Sequence, residues 1–107
     1  MSHPLVSALV CALLFAPLAS ATDSPRDVWL KAKCAVCHGI DGRPTAQGAE
    51  LKTPDLRAPE IQQLTDDQLA AKLATGHKRM PSFKRQLSPA QVRLLVTYIR
   101  GLGKAKT

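Results

Sequence analysis

The chain has 107 residues, fifteen Lys and Arg against eight Asp and Glu, and only four aromatic residues (one Trp, one Tyr, two Phe). That length holds one domain, near the size at which a protein core alone is marginal, and so few aromatics leave a core that needs a supplement. The formal charge of +7 ordinarily points to nucleic acid, a reading that the export signal at the start of the chain argues against.

Residues 1–21 read as a cleaved secretory signal peptide. Leu5 to Leu18 is an apolar run without charge, and Leu18-Ala19-Ser20-Ala21 ends in the small residues a signal peptidase reads, so cleavage is expected near Ala21. The run is short for a membrane span, which needs about 20 residues; an uncleaved anchor is the competing reading. Cys11 lies inside the run and is discarded with it. Residues 22–107 remain as the mature domain.

Charge within that domain is one-sided. Thr22 to Asp67 carries six basic and eight acidic residues, whereas Gln68 to Thr107 carries nine basic and none acidic. Such asymmetry steers encounters with an acidic partner surface. An anionic membrane surface is the other available partner, and a merely solvated basic face is the plain alternative.

Ser24-Pro25-Arg26-Asp27 is a helix start, with Ser24 as cap and Asp27 at the capping-box position. The spacing predicts a helix to about Lys33, with Val28, Trp29 and Ala32 inward. Next comes Cys34-Ala35-Val36-Cys37-His38. A C-x-x-C-H run reads as covalent attachment of a c-type haem. Two thiols three residues apart on one helical turn reach both vinyl groups, and the following imidazole can take the iron. The alternatives are a zinc site assembled from Cys34, Cys37, His38 and His77, or a thiol redox pair. The adjacent ligands Cys37 and His38 suit one tetrahedral ion poorly, and the βαβ context of a redox pair is not written here. A haem would also supply the apolar bulk the composition lacks, so the haem-free chain is expected to be largely unfolded.

From Gly39 to Pro59, recurrent Gly and Pro break any long element. This loop should wrap the His38 side of the cofactor. The Pro44 carbonyl is a candidate acceptor for the second ring nitrogen of His38, and Arg43, Lys52 and Arg57 are candidates to meet the haem propionates. Thr65-Asp66-Asp67-Gln68 starts a helix with Leu64, Leu69 and Leu73 on its apolar face, ended by Gly76. In the basic loop after it, Met80-Pro81 can present a thioether to the sixth iron position, stiffened by the proline. A soft sulfur ligand favours ferrous iron. His77 is the rival ligand. Ser88-Pro89-Ala90-Gln91 opens a last helix with Val92, Leu95, Val96 and Ile99 at helical spacing, stopped by Gly101 and Gly103.

In this order the motifs resemble a small class I c-type cytochrome: an N-terminal helix, Cys34-Ala35-Val36-Cys37-His38-Gly39, a looped middle, a helix, Met80-Pro81-x-Phe83, and a C-terminal helix with Leu95-x-x-Tyr98. The resemblance covers residues 24–103. It implies an all-α fold of about three to four helices wrapped around one covalently attached haem c, with the first and last helices crossing closely. It implies Cys34 and Cys37 as attachment residues and His38 and Met80 as axial iron ligands. Lys72, Lys78, Arg79, Lys84 and Arg85 would then surround the haem edge. Two places depart from the pattern. Arg26 stands where the family often has Gly, and Leu30 where it often has an aromatic, with Trp29 one residue away; the crossing is expected to be looser or shifted by a residue.

The expected function is that of a periplasmic carrier of single electrons, with no catalytic residues, docking transiently on redox proteins with acidic surfaces. The alternatives are a haem-bearing subunit of a periplasmic dehydrogenase or oxidase, and an open-site haem protein with Met80 off the iron.

Overall fold

In the computed structural model, which describes residues 23–105, each of the three expected helix starts is a closed capping box. The helices are α1 (Pro25–Lys31), α2 (Ala35–His38), α3 (Ala46–Glu50), α4 (Pro59–Gln62), α5 (Asp66–Thr75) and α6 (Pro89–Lys104). No strand occurs among the described residues, so the class is all-α as expected. The signal segment with its cleavage point and Cys11 lies outside the described residues.

At the head of α1 the Ser24 hydroxyl accepts from the Asp27 N–H at 3.1 Å, and the Asp27 carboxylate accepts from the Ser24 N–H at 3.2 Å. Thr65 with Gln68, and Ser88 with Gln91, repeat this reciprocal pairing. Each cap satisfies donors that a helix start leaves orphaned and contributes about 1 kcal/mol.

The helix α1 ends two residues earlier than the pattern predicts. Lys33 adopts a left-handed φ of 64°. The Lys33 N–H then donates to the Leu30 carbonyl and the Cys34 N–H to the Trp29 carbonyl, both at 3.1 Å. This pair of bonds is the Schellman termination, built here on lysine rather than glycine. The break turns the chain before the cysteines, so Cys34 starts a new one-turn helix instead of extending α1.

The helices α1 and α6 pack against each other more extensively than any other pair. Val28 and Trp29 face inward at 2% and 1% exposure, while Arg26 and Leu30 are exposed. The shift by one residue is thus real: Trp29, not residue 30, occupies the crossing. From α6 the predicted residues Val92, Leu95, Val96 and Ile99 are all buried, and Leu102 joins them. Leu69 and Leu73 of α5 complete this core, with Leu64 and Met80 packed at its margin.

Two expectations are corrected. The middle of the chain is not a continuous loop, because it holds α3 and α4. The Thr45 hydroxyl accepts from the Gly48 N–H and so caps α3, and Pro59 stands at the first turn of α4. Among the described residues α2, α3 and α4 are single turns of four or five residues, and α1, α5 and α6 are the longer helices, in keeping with the three to four expected.

The glycines near the C-terminus do not stop α6, which runs through both to Lys104. At Gly103 the missing side chain is filled by another residue: a Cβ there would lie 2.5 Å from Gln62 Cδ. The Gln62 amide nitrogen donates to the Leu56 carbonyl at 2.8 Å and to the Ile99 carbonyl at 3.0 Å. Beside it, Arg100 donates to the Gln62 and Leu64 carbonyls and to the Asp66 carboxylate. One glutamine and one arginine therefore join α4, the start of α5 and α6.

Candidate functional site

The Cys34–His38 stretch is held from three sides, by α1, α6 and the head of α3. Its first residue is tied to α1 by the bond from the Cys34 N–H to the Trp29 carbonyl. Its far end is tied to the same residue, because Trp29 Nε1 donates to the Gly39 carbonyl at 2.9 Å. The Tyr98 hydroxyl, from α6, donates to the next carbonyl, that of Ile40, at 2.5 Å. On the other side, the Thr45 hydroxyl donates to the Val36 carbonyl at 2.6 Å and the Thr45 N–H to the Cys37 carbonyl at 3.0 Å.

Gly48 completes this clamp. Its backbone lies so close that a Cβ would sit 2.0 Å from the Cys37 carbonyl oxygen. The approach of α3 to α2 is therefore open only to glycine at this position. Gly39 has a left-handed φ of 70° and turns the chain sharply after His38.

Within the clamp Cys34 is buried at 7% exposure and Cys37 is half-buried, and both are free thiols. Burial pushes the Cys34 thiol up to about 11, so it is a protonated thiol at neutral pH. Burial lowers the pKa of His38, which keeps its imidazole neutral, the form a metal ligand needs. His38 Nδ1 is buried and has no hydrogen-bond partner among the described residues. The Pro44 carbonyl accordingly does not accept from it, contrary to expectation; the chain from 39 to 45 is drawn instead onto Trp29, Tyr98 and the Cys37 carbonyl. The imidazole instead meets the Trp29 ring, with centroids 5.9 Å apart and planes at 48°.

The Met80 loop folds back on the end of α5. His77 and Met80 exchange backbone hydrogen bonds of 3.1 and 2.9 Å around Lys78, which has a φ of 53°. The Phe83 N–H donates to the Leu73 carbonyl, and the Ser82 hydroxyl to that of Ala74, satisfying carbonyls the helix end leaves free. Gly76 permits the fold-back: its φ is 79°, and a Cβ would lie 2.8 Å from the Met80 oxygen. Met80 is half-buried and packs on the core, whereas His77 is exposed.

The three propionate candidates differ. Arg57 is bound in a two-point pair to Asp55, at 3.0 and 2.7 Å, which lowers the Asp55 carboxyl to about 2. Arg43 is exposed, with Asp41 at 3.8 Å, and Lys52 is exposed at a φ of 60°. Lys78, Arg79, Lys84 and Arg85 are exposed and Lys72 half-buried; none has a carboxylate partner among the described residues.

Among the described residues no group of three or more His, Cys, Asp or Glu side chains is arranged to hold a metal ion, so the zinc set with His77 is not assembled. Two thiols on one turn, followed directly by a neutral histidine, form a donor set that fits a covalently attached haem. Sequence reasoning missed Thr45 and Gly48 as supports of this turn. A Thr before Ala46-Gln47-Gly48 is a legible cap signal; the close approach at Gly48 has no local signature.

The family model for cytochrome c oxidase, cbb3-type, subunit III, matches residues 20–99. Among solved structures, the KustC0563 c-type cytochrome is similar at 30% identity and a TM-score of 0.69, covering 75% of this chain and 98% of that one. A mutant form of Kustc0563 is similar at 30% identity and a TM-score of 0.68, covering 75% of this chain and 99% of that one. No curated protein matches the chain.

Proposed function

The chain belongs to the c-type cytochromes, in the family of cbb3-type oxidase subunit III, and we propose that it is a periplasmic electron carrier whose haem iron is held by His38 and Met80. The family carries haem c bound covalently. When bound, that group would supply one-electron redox chemistry between partner proteins. Cys34 and Cys37 would anchor it. His38, kept neutral by burial, would hold the iron from one side. Met80 would hold it from the other, on a loop pinned to α5. The exposed cations around Met80 receive an acidic partner surface through a transient, salt-sensitive contact.

The observation that carries the reading is the Cys34–His38 turn itself, which sets two thiols and a half-buried imidazole on one turn anchored from α1, α6 and α3. If His38 and Met80 both hold the iron, no position remains there for a small-molecule substrate, and this supports reading the role as electron transfer. The half-burial of Met80 against the exposure of His77 favours the thioether as sixth ligand.

The test is an optical spectrum of the exported protein, oxidised and reduced, with carbon monoxide added to the reduced form. Sharp reduced bands of a c-type haem, a weak far-red iron–methionine band and no response to carbon monoxide are expected. A spectrum that shifts with carbon monoxide would take Met80 off the iron.

A second reading is supported by the family itself, whose description is of an oxidase subunit: a haem-bearing subunit of a periplasmic oxidase or dehydrogenase. Among the described residues no helix is long and apolar enough to cross a membrane. Co-purification with one enzyme at high salt favours the subunit; short-lived, salt-dependent binding favours the carrier.

A further inference from the structure

His38 is a ligand whose ring is not steered by a hydrogen bond. A ligating imidazole is ordinarily oriented by a donor bond from its second nitrogen, and His38 Nδ1 has no partner among the described residues. Something else must hold the ring plane. Trp29 is the aromatic residue against it, and Trp29 alone is bonded to both ends of the turn that carries His38. Its carbonyl accepts from the Cys34 N–H, and its indole N–H donates to the Gly39 carbonyl.

Trp29 is itself fixed. It is 1% exposed, and Tyr98 stacks on it with centroids 4.6 Å apart and planes at 26°. Such pairing contributes about 0.5–1.5 kcal/mol beyond buried area. The Tyr98 hydroxyl then reaches the Ile40 carbonyl, so the two rings donate to successive carbonyls directly after His38. The tilted Trp29–His38 pair lies within the range of aromatic contact, and the indole cannot move without breaking its bond to the Gly39 carbonyl or its stack on Tyr98. Resting on the His38-ligated haem proposed above, we infer that Trp29, backed by Tyr98, is the positioning residue that sets the plane of the His38 imidazole.

The measurement is the pattern of haem methyl resonances in proton NMR of the oxidised, haem-loaded protein. The unpaired electron of ferric iron spreads over the porphyrin according to the plane of the axial imidazole, so this pattern reports ring orientation. Trp29→Phe keeps an apolar ring and removes the indole N–H. Tyr98→Phe keeps the stack and removes only the hydroxyl, so it remains available if W29F does not fold. The spread and order of the methyl resonances are expected to change in both variants while the far-red iron–methionine band persists. A purely structural role would lower the unfolding midpoint and leave the pattern alone; wild-type patterns in both variants overturn the inference. The wild-type optical spectrum on the same sample separates the two levels. Absence of a six-coordinate haem ends the functional reading and this inference with it, whereas unchanged methyl resonances beside a normal spectrum end the inference alone.

Discussion

Trp29 of α1 and Tyr98 of α6 stack at 4.6 Å, and their polar tips reach past each other to the Gly39 and Ile40 carbonyls. The crossing of the terminal helices is thus also the wall of the cofactor turn. A change that loosens the crossing should be felt at His38, and attachment of the cofactor at Cys34 and Cys37 should tighten the crossing.

That coupling bears on the haem-free chain. Three aromatic side chains beyond residue 21 are few for a domain of this size, and the haem is expected to supply the missing apolar contact. Protein made without haem attachment should have weak helical circular dichroism and no cooperative thermal transition. A sharp transition near that of the loaded protein would show that the polypeptide core suffices.

Gly48→Ala should damage the attachment turn. Its Cβ would meet backbone, the Cys37 carbonyl oxygen at 2.0 Å, so α3 must move away and strain or break the Thr45 bonds. Overpacking of this kind costs about 1–3 kcal/mol. Denaturant unfolding of the loaded variant should show a lowered midpoint, with a smaller yield of haem-bearing protein.

Gly76→Ala acts on the other side. An L-residue held at a left-handed φ costs roughly 1–2 kcal/mol, and here the new Cβ also lies 2.8 Å from the Met80 carbonyl. The Met80 loop should lift from α5. The readouts are a weakened far-red band and a newly acquired response to carbon monoxide. Retention of both wild-type properties would mean that Met80 does not depend on this fold-back.

Acid should remove the stabilisation from the Asp55–Arg57 pair. The folded carboxyl is depressed to about 2 from an ordinary value of 3.8, so its contribution is complete above about pH 4 and is lost as pH falls through 3.8 towards 2. The pair is half-buried, with 20% of the Arg57 side chain and 37% of the Asp55 side chain exposed, so solvent and salt screen part of the effect. Asp55→Asn should flatten the stability profile across that window and leave it unchanged near neutrality apart from a constant offset.

Charge reversal at Lys78, Arg79, Lys84 or Arg85 should slow association with an acidic redox partner and reduce its salt dependence, because exposed rim charges act mainly on encounter rates. Stopped-flow electron transfer at two ionic strengths measures this. The unfolding midpoint should hardly move, since none of the four has a carboxylate partner among the described residues.

The features legible in the chain alone are those written over three or four residues. Ser24 with Asp27, Thr65 with Gln68 and Ser88 with Gln91 announce helices because cap and partner lie one turn apart. The attachment motif is legible for the same reason: Cys34, Cys37 and His38 share one turn, so their chemistry is local. Tertiary structure decided what depends on distant residues. Tyr98 and Ile40 are 58 positions apart, and Gln62 and Ile99 are 37. No local periodicity records that Gly103 makes room for Gln62, that Gly48 admits the Cys37 carbonyl, or that Arg57 is committed to Asp55. The choice of Trp29 over residue 30 at the crossing, and with it the wall behind His38, came from the way α1 rolls against α6 to bury its largest side chain. Burial is settled by the whole fold, whereas a hydrogen-bonded turn is settled by its neighbours.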